Sequence, residues 1–292
     1  MAAPSTSVIH SPLTYNELVQ HTCAFFQVAI ESLLCVRNVY PPEVFQRRKK
    51  YNTPVYQVRH PGLANYVGLI IKSIKAELYK ASVERVVLVI TESGDHTPLE
   101  RFVFHLDYLI PVPPPRDRDL MIDKAPSLHD LELHLRGFML KLMLVESSLA
   151  PIPDHENTTF AVLLEYKPGR GPNSDDKNEP EEGPWVPADR EGSSETEAAD
   201  RSNKPKFVPI KTFDSGVINL MLHVEDDSNA KAAARATPPS SFASSQRREG
   251  GGNAHGDGNR QAGGRSSPRS EEGDGSMLGF GMSDDDDGGD WR

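Results

Sequence analysis

An α+β fold, with three helices packed on one face of a mostly antiparallel sheet, is what this sequence predicts. Three observations lead there. Apolar residues recur at helical spacing in three separate segments. Period-two or unbroken β-branched runs lie between and after them. The polar, Gly- and Pro-rich stretches are confined to one long connection and to the C-terminal end.

Residues 13–39 read as the first helix, because Leu18, Thr22, Phe25, Phe26, Ala29, Ile30, Leu33 and Leu34 recur at three- and four-residue intervals. The stripe is wide, which places this helix centrally with cover on most sides. Asn38-Val39-Tyr40-Pro41-Pro42 ends it, since proline and the residue before it disfavour the helix. Residues 43–58 carry Phe45, the basic run Arg47-Arg48-Lys49-Lys50, then Tyr51, Val55, Tyr56 and Val58. They predict a short polar hairpin at the sheet edge, where charge discourages aggregation. His60-Pro61 opens the second helix, with proline in its first turn, and Leu63, Val67, Ile70, Ile71, Ile74 and Leu78 form its apolar face.

Val83 to Ile90 is a nearly unbroken β-branched run, the pattern of a strand buried on both faces. Glu92-Ser93-Gly94-Asp95 turns the chain, and Phe102, Phe104 and Leu106 mark the return strand. The third helix falls near 126–147 on Leu128, Leu131, Leu135, Phe138, Leu142 and Met143. Thr159 to Tyr166 is a further alternating strand. Residues 167–205 turn polar, with one apolar island, Pro184-Trp185-Val186-Pro187. Strands return at Phe207–Ile210 and Val217–Val224, where Ile218, Leu220, Leu222 and Val224 face one way and Asn219, Met221 and His223 the other.

Composition sets the limits of the folded part. The chain has 292 residues, 32 Lys+Arg against 42 Asp+Glu, and a net charge of −10. Only 37% of it is hydrophobic, and thirteen of the 22 glycines lie between Gly250 and Gly289. The expected organisation is a flexible stretch 1–11, one folded domain 12–225 and a disordered tail 226–292. No run of about 18 apolar residues is apparent, and MAAPSTSVIH lacks the layout of a secretory leader, so no membrane association is expected. Cys23 and Cys35 read as buried thiols. The acidic balance argues against a broad grip on duplex DNA, and no direct sequence-specific DNA binding is expected.

No catalytic signature stands out. There is no G-x-x-x-x-G-K-[ST], G-x-G-x-x-G or G-x-S-x-G pattern. His129 and His134 are five apart and do not share a helix face, and the two cysteines are twelve apart. Asp284 to Asp287 is not followed by the glutamate that would close a calcium loop. No metal, cofactor or enzymatic activity is expected. Arg47 to Lys50 is either a solvated hairpin or a patch for DNA or an acidic partner. Trp185, isolated in a polar stretch, either packs back on the core or covers a bound peptide.

The block Tyr40-Pro41-Pro42-Glu43-Val44-Phe45-Gln46-Arg47-Arg48-Lys49-Lys50-Tyr51-Asn52 resembles the HORMA-domain accessory subunits of DNA polymerase zeta, the mitotic arrest deficient 2-like proteins of translesion synthesis. The likeness continues through His60-Pro61, Tyr66, Val83–Ile90 and Arg101–Phe104, then Leu135–Lys141, Pro184–Asp189 and Val208–Thr212. It spans roughly residues 12–225. It implies a HORMA fold whose C-terminal part, about 168–225, is a safety belt that closes over a partner peptide. The implied role is a nuclear, non-catalytic adaptor, present also in the cytoplasm. It would capture a proline-containing peptide of the polymerase zeta catalytic subunit and link it to the deoxycytidyl-transferase scaffold.

By position, the resemblance assigns Tyr66, Trp185, Val186 and Ala188 to the peptide, Phe207, Met221 and His223 to the scaffold, and Arg136 and Lys141 to pairing with another HORMA protomer. At the three scaffold positions the animal family has leucine, glutamine and tyrosine. That departure, the acidic residues near 170–183 and 190–203, and the tail point to a distant homologue of fungal type. The alternative is a HORMA role in spindle-checkpoint or DNA end-protection signalling with a different peptide.

Overall fold

The computed structural model describes residues 11–94, 96–152, 157–170 and 205–236. Its centre is helix α1 (Tyr15–Val36). The helix starts with a reciprocal cap. The Thr14 hydroxyl accepts the Glu17 backbone N–H at 3.2 Å, and the Glu17 carboxylate accepts the Thr14 N–H at 2.9 Å. Phe25, Phe26, Ala29, Ile30, Leu33 and Leu34 have no exposed surface. Contrary to expectation, α1 is long and apolar enough to cross a membrane by length and composition. Its polar positions are mostly uncharged, and 67% of that window is buried inside the fold, as befits the helix on which the others pack.

The basic hairpin, β1 (Phe45–Lys50) and β2 (Thr53–Val58), forms a two-stranded sheet of its own rather than an edge of the main sheet. The reason lies in α1. Its buried Glu31 accepts the Val58 backbone N–H at 3.0 Å, and Phe45, Tyr51, Val55 and Val58 sink into the core. Burial raises the pKa of Glu31. The turn places Tyr51 and Asn52 at φ 50° and 52°, as a two-residue hairpin of this hand requires. Arg47, Arg48 and Lys49 remain exposed.

Helix α2 (Pro61–Lys80) is capped by the His60 ring, which accepts from Leu63 N–H at 3.4 Å. Strands β3 (Val83–Glu92), β4 (Pro98–Tyr108), β5 (Thr158–Tyr166), β6 (Lys206–Asp214) and β7 (Ile218–Asp226) build one five-stranded sheet, with helix α3 (Leu128–Met143) between β4 and β5 in sequence. The order is β5-β3-β4-β7-β6 and every pairing is antiparallel. Leu88↔Phe102, Leu88↔Val162 and Phe104↔Leu222 fix the register of the helix-facing side. There Phe25 and Phe26 of α1 meet Phe104 of β4 and Phe138 of α3, with ring centroids 5.4–6.1 Å apart. On the other side Val87, Val89, Val103 and Leu163 form a second apolar cluster. Pro209 lies on edge strand β6 beside a bulge, a position that lacks no ladder donor.

Two expectations need correction. A fourth helix, α4 (Ser228–Ala236), occupies residues assigned to the disordered tail, and β7 itself runs to Asp226. The Asp227 carboxylate caps it, accepting from the Asn229 and Ala230 amides at 3.1 and 2.9 Å. An Ala-rich stretch behind a capping aspartate favours helix intrinsically. The rest of the expected tail, 237–292, and residues 1–10 lie outside the described residues.

Two predictions follow from this packing. Burial pushes the Cys23 thiol up to about 12 and the Cys35 thiol up to about 11. Cys23 is buried and Cys35 half-buried, and neither is a thiolate at pH 8, so iodoacetamide should label both far faster after unfolding; equal rates in the native chain would contradict the raised thiols. Gly216 turns the β6–β7 hairpin at φ 73°, and a Cβ there would stand 2.5 Å from the Lys124 carbonyl oxygen. Gly216→Ala should destabilise the fold by about 2 kcal/mol in urea unfolding; a change under about 0.5 kcal/mol would contradict the close approach.

Candidate functional site

Sheet order decides where a ligand fits. β5 stands at one edge of the five-stranded sheet and β6 at the other, yet they are consecutive in sequence. The 39 residues between them, 167–205, therefore have to pass from one edge to the other. The chain leaves β5 where the Lys167 amide donates to the Ser82 carbonyl at 2.9 Å, with the Lys167 ammonium 4.1 Å from the Tyr108 ring centroid.

Among the described residues, β5 pairs in the sheet with β3 alone, so its other side is an edge of the sheet. Aromatic rings stand beside that edge. Tyr66, on α2 and 47% exposed, meets Phe160 of β5 edge-on at 5.8 Å, and Tyr40 meets the same ring at 6.1 Å. Burial is the main cause of a raised Tyr40 pKa, with neighbouring Tyr66 second. Phe160 and Val162 point to this side and are nearly buried. The site is thus a backbone ladder flanked by an aromatic step, suited to an extended chain with a bulky apolar or proline side chain. Tyr66 was named from sequence. Tyr40 was not, because it looked like part of the segment that ends α1, nor was Phe160, which read only as one residue of an alternating strand. Trp185, Val186 and Ala188 lie outside the described residues.

Phe207, Met221 and His223 do come together. They share the outer sheet face on β6 and β7, where the Phe207 and His223 rings lie 4.5 Å apart at 33°. Phe207 is 58% exposed and Met221 37%, so the patch is apolar and open. Around it run Arg101 to Glu225 at 3.6 Å and Arg85 to Glu165 at 2.8 Å. Burial holds the His223 pKa below the usual value against the pull of Glu225, with Arg85 and His105 adding to the lowering. The ring is neutral at pH 7.

Arg136 and Lys141 separate in role. Arg136 lies half-buried on α3, between exposed Leu133 and Leu140, and has no hydrogen-bond or ion-pair partner among the described residues. Lys141 donates to the Ile210 carbonyl at 2.7 Å, tying α3 to the bulge of β6. Gly137 beside it leaves room for the stem of Lys211, whose ammonium lies 5.6 Å from the Phe138 ring centroid. Among the described residues no three His, Cys, Asp or Glu side chains are placed to hold a metal.

A C-terminal strand pair closed onto one edge, an open aromatic-flanked strand at the other and a long crossing between them define the HORMA class of fold. The HORMA domain family model matches residues 19–168, and the chain belongs to the HORMA-domain family. More particularly, it is a homologue of the proteins called MAD2B in animals and DNA polymerase zeta processivity subunit in plants and fission yeast. It is 32% identical to human "Mitotic spindle assembly checkpoint protein MAD2B" over 76% of this chain and 97% of that one. To the Arabidopsis thaliana "DNA polymerase zeta processivity subunit" it is 28% identical, over 70% of this chain and 83% of that one. Among solved structures, Caenorhabditis elegans HTP-2 bound to the HIM-3 closure motif superposes with a TM-score of 0.55 at 14% identity, covering 75% of this chain and 93% of that one. That likeness shows the fold.

His223 supplies a titration test. Its folded pKa lies below the unfolded 6.5, so its contribution to stability is complete above pH 6.5 and is lost as pH falls below that value. The His223 ring should titrate below 6.5 in proton–nitrogen NMR spectra of the full chain, and a value above 6.5 would contradict the neutral, partly buried ring.

Proposed function

We propose that this chain is a non-catalytic adaptor that captures a proline-containing peptide of the DNA polymerase zeta catalytic subunit. The peptide adds a strand to the free edge of β5, and residues 167–205 pass over it. The observation that carries this reading is the open β5 edge beside Tyr40, Phe160 and Tyr66, in a sheet whose next strand in sequence lies at the opposite edge. Enclosure of this kind slows release more than it speeds association.

The choice of polymerase zeta is supported by the names of the plant and fission-yeast relatives. Trp185, with Val186 and Ala188, supplies the belt side of the grip, and Phe207, Met221 and His223 form the patch that meets the translesion scaffold. The adaptor acts in the nucleus. A second reading, a checkpoint or end-protection adaptor using the same edge on another peptide, is favoured by the name of the animal relatives. The two differ in ligand, not in mechanism.

Overlapping peptides tiled across the matching polymerase zeta catalytic subunit test the choice. The full chain should capture one proline-containing segment with slow release. Trp185→Ala and Tyr66→Ala should each weaken that capture, Trp185→Ala by at least about 2 kcal/mol, as buried aromatic anchors do. Capture of none of the segments by the folded chain would move the function to the second reading. For the pairing surface on α3, Arg136→Ala should shift the full chain to monomer in sedimentation runs; an unchanged distribution would show that Arg136 does not pair protomers.

A further inference from the structure

We infer that Lys231 of α4 is a positioning residue for peptide retention: it locks β7 onto β4 and so sets how slowly a captured peptide leaves. This rests on the peptide-capture reading above and names a residue that controls it.

The register creates the need for it. Glu100 of β4 stands directly opposite Asp226 of β7. Both continue the inward-facing columns of Phe102, Phe104 and Leu106 and of Leu220, Leu222 and Val224, and both are buried, at 1% and 2% exposure. Two carboxylates facing each other across a ladder repel, and burial strengthens the repulsion. Seating β7 on β4 therefore requires cations at that spot. Arg37, which ends α1, answers Glu100 through its Nε at 2.8 Å and through one terminal nitrogen, and also donates to the Ala150 carbonyl at 2.8 Å. Arg37 belongs to the helical body, and among the described residues its side-chain hydrogen bonds go to Glu100 and the Ala150 carbonyl.

Lys231 supplies what Arg37 does not. Only 1% exposed, its ammonium lies 2.6 Å from an Asp226 oxygen, contacts Glu100 as well, and donates to the Ala150 carbonyl at 2.9 Å. One turn on, Arg235 donates to the Pro151 carbonyl at 2.7 Å. α4 thus joins the end of the returning strand pair to β4 and to the segment before β5, and shares Glu100 and the Ala150 carbonyl with Arg37. The four charges sum to zero, two of each sign, in a place closed to water. Once the lock is formed, pulling β7 from β4 exposes a matched set of buried charges to one another's loss. On the capture reading, release requires β6 and β7 to leave the sheet, so the lock acts on release and not on encounter.

Lys231→Gln in the full chain tests this by two readouts. Hydrogen exchange of the β7 amides, Ile218–Asp226, should accelerate about tenfold or more while those of β3 stay unchanged. Release of the fluorescein-labelled polymerase zeta peptide captured by wild type should accelerate by a similar factor, with association within about twofold. The double variant Asp226→Asn with Lys231→Met removes one charge of each sign, leaves Arg37 with Glu100, and should restore slow β7 exchange and slow release. Unchanged β7 exchange in Lys231→Gln overturns the assignment. So does acceleration spread equally over β3, or acceleration that the double variant fails to reverse. A wild-type chain that captures no tiled peptide removes the capture reading instead, and the β7 exchange result still decides the lock.

Discussion

The two strands that flank residues 167–205 sit at opposite edges of one sheet, and most of what this chain can do depends on that. Four strand spacings separate them, roughly 19 Å across the sheet. The connection is far longer than the gap, since 39 residues reach about 130 Å when extended. Such a length is tolerated thermodynamically, because closure entropy grows slowly with loop size. The returning pair β6–β7 joins the rest of the sheet through hydrogen bonds between β4 and β7. That β4–β7 ladder is the clasp of the returning strand pair.

The two sides of the clasp are built differently. On the body side, α1 lies under the sheet with Phe25 and Phe26 against Phe104 and Phe138, an aromatic centre with no exposed surface. Large buried aromatics make that part of the fold hard to open. On the returning side, β6 and β7 are held by apolar inward residues, by Lys141 on the Ile210 carbonyl and by the buried charges at Asp226. Polar and ionic contacts are directional and break together. A strand pair fastened in this way suits an element that is either seated or released, with little in between.

Much of the body was legible in the sequence. The wide stripe from Leu18 to Leu34 marked a central helix, and the β-branched run Val83–Ile90 marked a strand covered on both sides. The alternation Ile218, Leu220, Leu222, Val224 against Asn219, Met221, His223 gave both faces of β7 correctly. Phe207, Met221 and His223 were placed by resemblance, and they lie on one sheet face with two of their rings 4.5 Å apart. What escaped were features that depend on partners distant in sequence. The basic hairpin went to the wrong sheet because nothing local announces that Glu31 of α1 binds the Val58 amide. Phe160 and Tyr40 read as one residue of an alternating strand and as part of a helix stop, since the edge they share is formed by segments from different parts of the chain. α4 was lost to averaging. Its Asp227 cap and alanines are a local helix signal, but they adjoin a long Gly- and Ser-rich run, and its lysine is buried only because Glu100 and Asp226 face each other.

The central claim is that β5 presents a sheet edge which a peptide completes as a further strand. Residue-resolved hydrogen exchange across Thr158–Tyr166, with and without a saturating captured peptide, tests it most directly. The account predicts that alternate β5 amides, those pointing away from β3, exchange fast in the free chain and become strongly protected when the peptide binds. Amides already protected in the free chain, or still fast under saturating peptide, would contradict it.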